Sequence, residues 1–192
     1  MTRRELLAGT LLAPALLAKG KIDRSRISAI SDEVGLTAAD AIAFAKEYGL
    51  HWLEVRNVPE LKKEYASQPE PVLKAAAASF KLNGLRVSFM NTGLMKFGWP
   101  GTEPVRRRPE SDEARAKRLA TEAQRFENRM DSLRQALNAA KILGVDKVRV
   151  FTGSRVAEPQ TIFPHVAEVI NDMAQIAEKE KIHLLIENEN SQ

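Results

Sequence analysis

The chain has no cysteine and only three histidines among its 192 residues. Without cysteine there is no disulfide, no thiolate metal site and no thiol nucleophile, and the redox compartment is left open. The histidines are badly placed for chemistry: His51 and His183 stand at the starts of apolar segments, and His165 in the first turn of a helical one. Each reads as structural or solvent-facing. No G-x-G-x-x-G occurs, no phosphate-cradling loop follows the first apolar strand, and no G-x-S-x-G elbow is present. The apolar run from Leu6 to Ala18 is about 13 residues, against the roughly 20 that a spanning helix needs. A strong field of one sign is also missing, since the net charge is only +4. The basic residues Arg106 to Arg108 and those of 115–129 are offset by Glu110, Asp112, Glu113, Glu122 and Glu127. That pattern describes a mixed-charge solvated surface rather than a phosphate-binding patch, so nucleic acid is not an expected partner.

What is present suffices for one domain: 44% of residues are hydrophobic and 28% charged. Arg3-Arg4, the short apolar run and small residues at Ala13, Ala15 and Ala18 read as a secretory signal of twin-arginine type over residues 1–20. That implies export to the periplasm of an already folded protein, with no stable membrane insertion afterwards. The alternative is an amphipathic helix packed on the domain. The folded body is expected over 21–192.

That body repeats one unit, a helical stretch, a glycine stop and a short apolar strand. The stops are Gly49, Gly84 and Gly144, where glycine takes the left-handed conformation that closes a helix. In a fourth copy Lys181 occupies the stop. Helix signals precede each stop: a capping box at Thr37 to Asp40, Pro71 and Pro164 in first turns, and a stripe of Met130, Leu133, Leu137 and Ala140 that reads as core packing. Five strands are expected at about 27–31, 52–56, 86–91, 147–151 and 182–187, with four helices between them. The polar stretch from Lys96 to Asn128 is an excess over the repeat. Such alternation means a parallel sheet with right-handed crossovers.

Two α/β architectures fit, a doubly wound five-stranded sandwich and a (β/α)8 TIM barrel represented by five of its strands. Side-chain parity favours the partial barrel. One strand face is apolar (Leu53 and Val55, Val87 and Phe89, Val148 and Val150, Leu184 and Ile186), while the other carries Glu54, Arg56, Arg86, Arg149 and Glu187. A helix layer over the second face would bury those charges at several kcal/mol each; a barrel mouth holds them paired or hydrated.

Chemistry in such folds collects at the C-terminal ends of strands. The residues there are Asp32 and Glu33, Glu54 and Arg56, Asn91 and Lys96, Thr152, Ser154 and Arg155, and finally Glu187, Asn188 and Glu189. Carboxylates in that number suit proton shuttling or a hard divalent metal, Mn²⁺ or Mg²⁺ before Zn²⁺. Lysine and arginine suit the oxygens of a small polar substrate.

Several of these segments resemble one family. Ile30-Ser31-Asp32-Glu33-Val34-Gly35, Leu53-Glu54-Val55-Arg56, Asn91-Thr92-Gly93-Leu94-Met95-Lys96-Phe97, Val148-Arg149-Val150-Phe151-Thr152-Gly153 and Leu185-Ile186-Glu187-Asn188-Glu189 are similar, in order and spacing, to the first five strand-loops of the sugar phosphate isomerase/epimerase family, the xylose isomerase-like TIM barrels. The resemblance implies a divalent metal at the mouth with Glu187 as a ligand and general base, moving a proton on a keto sugar or polyol. It implies substrate contacts from Glu33, Glu54, Arg56, Lys96 and Arg155. It also implies further ligands from three later strands, so the chain is expected to be a fragment truncated after the fifth strand, or else completed by homo-oligomerisation, with an incomplete site. Two other functions are weighed: a non-catalytic sugar-binding barrel, and an apurinic-site endonuclease-like hydrolase of the same superfamily, which would need the histidine cluster that is missing.

Overall fold

A computed structural model of the chain describes residues 23–106 and 108–187. The expected signal segment lies outside them. The strands are β1 (Ser28–Ile30), β2 (Trp52–Val55), β3 (Asn57–Val58), β4 (Lys63–Glu64), β5 (Arg86–Met90), β6 (Lys147–Val150) and β7 (His183–Ile186). The helices are α1 (Ser31–Val34), α2 (Ala38–Glu47), α3 (Glu70–Leu82), α4 (Asp112–Glu127), α5 (Arg129–Leu143) and α6 (Phe163–Lys179). All five expected strands form one parallel sheet in the order β1-β2-β5-β6-β7, and β3 pairs antiparallel with β4 as a separate hairpin. Each new strand joins the same side of the one before. A doubly wound sheet reverses its order at a switch point; this one does not, and is a singly wound segment of a barrel. Among the described residues no helix is long and apolar enough to cross a membrane.

Local chemistry explains the elements. Thr37 Oγ1 accepts from the Asp40 amide at 3.1 Å while Asp40 Oδ2 accepts from the Thr37 amide at 2.9 Å, so the capping box starts α2 as expected. The glycine stops have φ of 65° at Gly49, 71° at Gly84 and 70° at Gly144, and Lys181 takes the same turn at 58°. The apolar strand face buries Leu53, Val55, Val148 and Val150 completely, against Ala41, Leu73, Leu133, Leu137 and Met173 of the helices. Each large side chain removed from water contributes about 1.5–3 kcal/mol.

Three expectations need correction. Phe89 does not share the apolar face with Val87. The β2–β5 register shifts at Leu53/Glu54, so that Leu53 faces Val87 but Glu54 faces Phe89 and Val55 faces Met90. This bulge turns Phe89 to the mouth side and drives Met90 fully into the core. Ile186 is 59% exposed rather than packed. Lastly, the described residues hold six α-helices, not four. The one-turn α1 carries Asp32 and Glu33, and α4 occupies the polar excess. None of the residues of α4 is buried, although Phe126 packs partly buried against the core and against the Trp99 ring. Arg118 adds to its hold, donating to Glu103 at 2.6 Å, Glu110 at 2.7 Å and Glu122 at 2.8 Å.

Candidate functional site

The polar ends of the strands converge on a cleft of about 570 Å³ lined by Glu33, Glu54, Arg56, Asn91, Lys96, Arg149 and Glu187, with Ile30 and Phe89 as its apolar floor. Parity places them there. Glu54 lies opposite Ile30 and Phe89, and Arg149 lies opposite Leu185, two residues before Glu187 on the same face of β7's extension. The Glu187 amide donates to the Val150 carbonyl at 3.1 Å, which continues the ladder and fixes the residue at the mouth.

One side of the cleft is a closed network. Asp32, only 10% exposed, accepts from Arg56 Nε and Nη2 on Oδ2 at 3.1 and 3.0 Å, and from Asn57 Nδ2 at 2.8 Å. Burial opposes the ionisation of Asp32, but the hydrogen bonds from Asn57 and Arg56 and the Arg56 charge outweigh it and hold the carboxyl below its ordinary value of 3.8. Arg56 also donates through Nη1 to Glu33 Oε1 at 2.9 Å, and Glu33 is 54% exposed. Tyr65, buried behind the hairpin, has its hydroxyl pushed up to about 12, first by burial and then by Glu60 and Asp32.

The other side is more open. Arg149, 14% exposed, donates through Nε to the Thr92 carbonyl at 3.0 Å and through Nη1 to Glu187 Oε2 at 3.0 Å. Its guanidinium carbon lies 4.7 Å from the Phe151 ring centre, and Lys96 Nζ lies 4.8 Å from the same centre. Thr92 Oγ1 donates to the Arg149 carbonyl at 2.7 Å, which binds the loop after β5 to β6. Between the two sides, Asn91 Nδ2 donates to Glu54 Oε2 at 3.0 Å.

Of the expected site residues, Glu33, Glu54, Arg56, Lys96 and Glu187 line the cleft. Arg155 does not: it is exposed, and its carbonyl accepts from the Val105 amide at 2.7 Å. Thr152 and Ser154 serve the fold through their backbones, accepting from Trp99 Nε1 and donating to the Phe97 carbonyl. Asn188 and Glu189 lie outside the described residues. The three histidines are exposed and none lines the cleft. Arg149 and Asn57 were not singled out from sequence. Arg149 had a usable signal, since parity put it on the same face as Glu187 one strand away.

A model of the xylose isomerase-like TIM barrel matches residues 42–192. The chain belongs to that family. Among solved xylose isomerase-like barrels and their kin, it is similar to the probable 3-DHS dehydratase AsbF involved in petrobactin synthesis from Bacillus anthracis, with a TM-score of 0.56, 14% identity, and 85% of this chain and 52% of that one covered. It is similar to a xylose isomerase-like TIM barrel protein from Mycobacterium smegmatis in complex with magnesium, with a TM-score of 0.55, 11% identity, and coverage of 86% and 55%. A third is a D-psicose 3-epimerase determined in the presence of D-fructose, with a TM-score of 0.50, 13% identity, and coverage of 83% and 51%. The chain spans about half the length of these structures. No curated protein sequence matches it.

The fit of a metal is tested by the donors at the mouth. Among the described residues no three His, Cys, Asp or Glu side chains form a group that holds a metal ion. Asp32 is engaged by Arg56 and Asn57, chiefly through Oδ2, and Glu187 is engaged by Arg149. These residues do not by themselves fit a divalent cation.

Proposed function

We propose that this barrel mouth binds a keto sugar or related polyol and supports isomerase- or epimerase-type proton transfer, with Glu187 as the base. The observation that carries the reading is the state of Glu187: a carboxylate 42% exposed at the end of a barrel strand, oriented by Arg149 and facing a polar cleft. In such a step the Glu187 carboxylate takes a proton from the carbon beside the sugar carbonyl. The electron pair of that C–H bond moves to the carbonyl oxygen, and the resulting enediolate lies near the positive charges of Lys96 and Arg149. Return of the proton to the former carbonyl carbon, with a proton passed from one enediolate oxygen to the other, isomerises the sugar; inversion at the original carbon requires in addition a proton delivered to its opposite face by a second acid, from water or from outside the described residues. Glu33, Glu54 and Arg56 serve as contacts for hydroxyls.

No step is assigned to a metal. The magnesium in the Mycobacterium smegmatis structure belongs to that protein. For Glu187 to become a ligand to Mg²⁺ or Mn²⁺, it would exchange its Arg149 hydrogen bond for the metal and act with donors outside the described set. Additional strands, from a longer chain or a second copy, would supply them. Export to the periplasm belongs to the same proposal and is supported by Arg3-Arg4 and the apolar run that follows.

The test is hydrogen exchange. A panel of ketoses is incubated in D₂O with the protein, with and without added Mn²⁺, and loss of the proton beside the carbonyl is followed by NMR. Exchange that disappears in Glu187→Gln supports the reading. Absence of exchange with every sugar overturns it and favours a sugar-binding barrel without chemistry, a second reading that the Arg149–Glu187 pair itself makes concrete.

A further inference from the structure

A second, larger cavity of about 770 Å³ lies beside the mouth, between the loop after β5 and the outer faces of α4 and α5. That volume is in the range of ligand sites. Glu64, Gly93 and Lys96 line both spaces, so cleft and cavity meet at these three residues. Their junction depends on a glycine, because a Cβ on Gly93 would stand 2.9 Å from Glu64 Oε1 and displace that carboxylate. The loop that forms the partition is strained as well. Met95 is buried and holds a φ of 62°, a left-handed conformation that costs a non-glycine residue about 1–2 kcal/mol. Such strain persists where surrounding structure enforces it, often at ligand clamps.

The two walls of the cavity differ in chemistry. Gln124, Asn128, Ser132 and Gln135 line one wall, spaced four, four and three residues apart across the α4–α5 junction, so that they form one row. They are neutral side chains that both donate and accept hydrogen bonds. Leu94 and Phe97 are part of the apolar wall across from them. Carbohydrate has the matching pair of surfaces, hydroxyls that donate and accept and an apolar C–H face. Lys96, Arg125 and Arg129 also line the cavity, with Glu64 as the acid among them. Arg129 is committed, with Nη1 donating to the Phe126 carbonyl at 2.8 Å and its guanidinium carbon 4.0 Å from the centre of that ring, and an anionic control tests the other two.

We infer that this compartment receives the second ring of a glycosylated ketose whose reacting end occupies the mouth. The substrate class is then a ketose disaccharide rather than a free monosaccharide. The inference rests on the keto-sugar reading of the mouth and extends it, and the two are separated by their readouts.

The test uses the ¹⁵N-labelled chain titrated with fructose, with the ketose disaccharides lactulose, turanose and palatinose, and with glucuronate as an anionic control. At least one disaccharide is expected to bind ten times more tightly than fructose and to shift the side-chain amide signals of Gln124, Asn128 and Gln135, which fructose leaves in place. In Gln124→Ala/Gln135→Ala that advantage should fall below threefold with fructose affinity unchanged. Both positions are exposed on helices, where alanine keeps the fold. The inference is overturned if no disaccharide outbinds fructose, if the double variant keeps the advantage, or if glucuronate alone moves the amides. Disaccharide-specific shifts without hydrogen exchange would defeat the proton-transfer reading and leave the compartment standing; exchange on fructose with no disaccharide advantage would do the reverse.

Discussion

The two arginines at the mouth show how the same pairing can build a scaffold or leave a reactive group. Arg56 and Asn57 surround Asp32, whose carboxylate is 10% exposed. Arg149 gives Glu187 one hydrogen bond and leaves it 42% exposed. Both acids stand at strand ends, and only one keeps access to a ligand. A buried carboxylate that accepts several hydrogen bonds holds two loops together. One that is oriented from a single side can still accept a proton.

The largest effect expected from breaking this contrast is Glu187→Gln. The amide keeps the shape and can still accept from Arg149, but it cannot take a proton. Hydrogen exchange should fall by about 10³-fold, within the usual range for a lost general base, while the urea midpoint moves little. An equally large loss of stability would make Glu187 a structural residue like Asp32.

Asp32→Asn should do the opposite, costing about 2 kcal/mol of stability at neutral pH, since hydrogen bonds to charged groups are worth about 1.5–3. Its pH dependence has a definite sign. The folded-state pKa is depressed below 3.8, so the native state releases its proton more readily than the unfolded chain. That stabilisation is complete above the unfolded value and is lost as pH falls through the folded one. The difference in stability between parent and variant should therefore hold from pH 7 to about 5 and narrow only below about 4. A gap that narrows toward alkaline pH instead would rule out the Asp32 charge as its source.

How much of this contrast was readable in advance depends on side-chain parity. Val148-Arg149-Val150 alternates cleanly; Leu184-Leu185-Ile186 is apolar throughout, and counting two residues on from Leu185 puts Glu187 on the face of Arg149. The β5 bulge was hidden, because Val87-Ser88-Phe89-Met90 is compatible with either side and only the register against Leu53 and Glu54 settles it. Helix α4 was hidden for another reason. Its small apolar stripe, Ala116, Leu119, Ala123 and Phe126, is diluted among charges, and the ion pairs of Arg118 with three carboxylates add stability that no hydrophobic period records. Asp32 and Glu33 looked equivalent as neighbours after strand one. Their difference arises from Arg56 and Asn57, which the chain brings back to Asp32 from 24 and 25 residues away.

Arg149→Lys sharpens the comparison by keeping the charge and removing the fork. A lysine cannot serve the Thr92 carbonyl and Glu187 with the same fixed geometry. Exchange is expected to drop about tenfold, roughly 1.4 kcal/mol, through slower turnover rather than weaker sugar binding. A change in affinity alone would assign Arg149 to substrate binding instead of to the orientation of Glu187.

The smallest effect is expected at Glu33, where the two roles meet. It shares Arg56 with Asp32 through one 2.9 Å bond, yet it is 54% exposed, more open even than Glu187. Exposed ion pairs of this kind contribute about 0–1 kcal/mol. Glu33→Gln should therefore leave the urea midpoint within error, and because the residue lines the cleft, it should weaken sugar binding two- to threefold in an NMR titration. If stability falls as far as in Asp32→Asn and binding is untouched, exposure is the wrong criterion for separating scaffold from site at this mouth. The number of hydrogen bonds each acid receives would then need to be weighed against the rigidity of the arginine that supplies them.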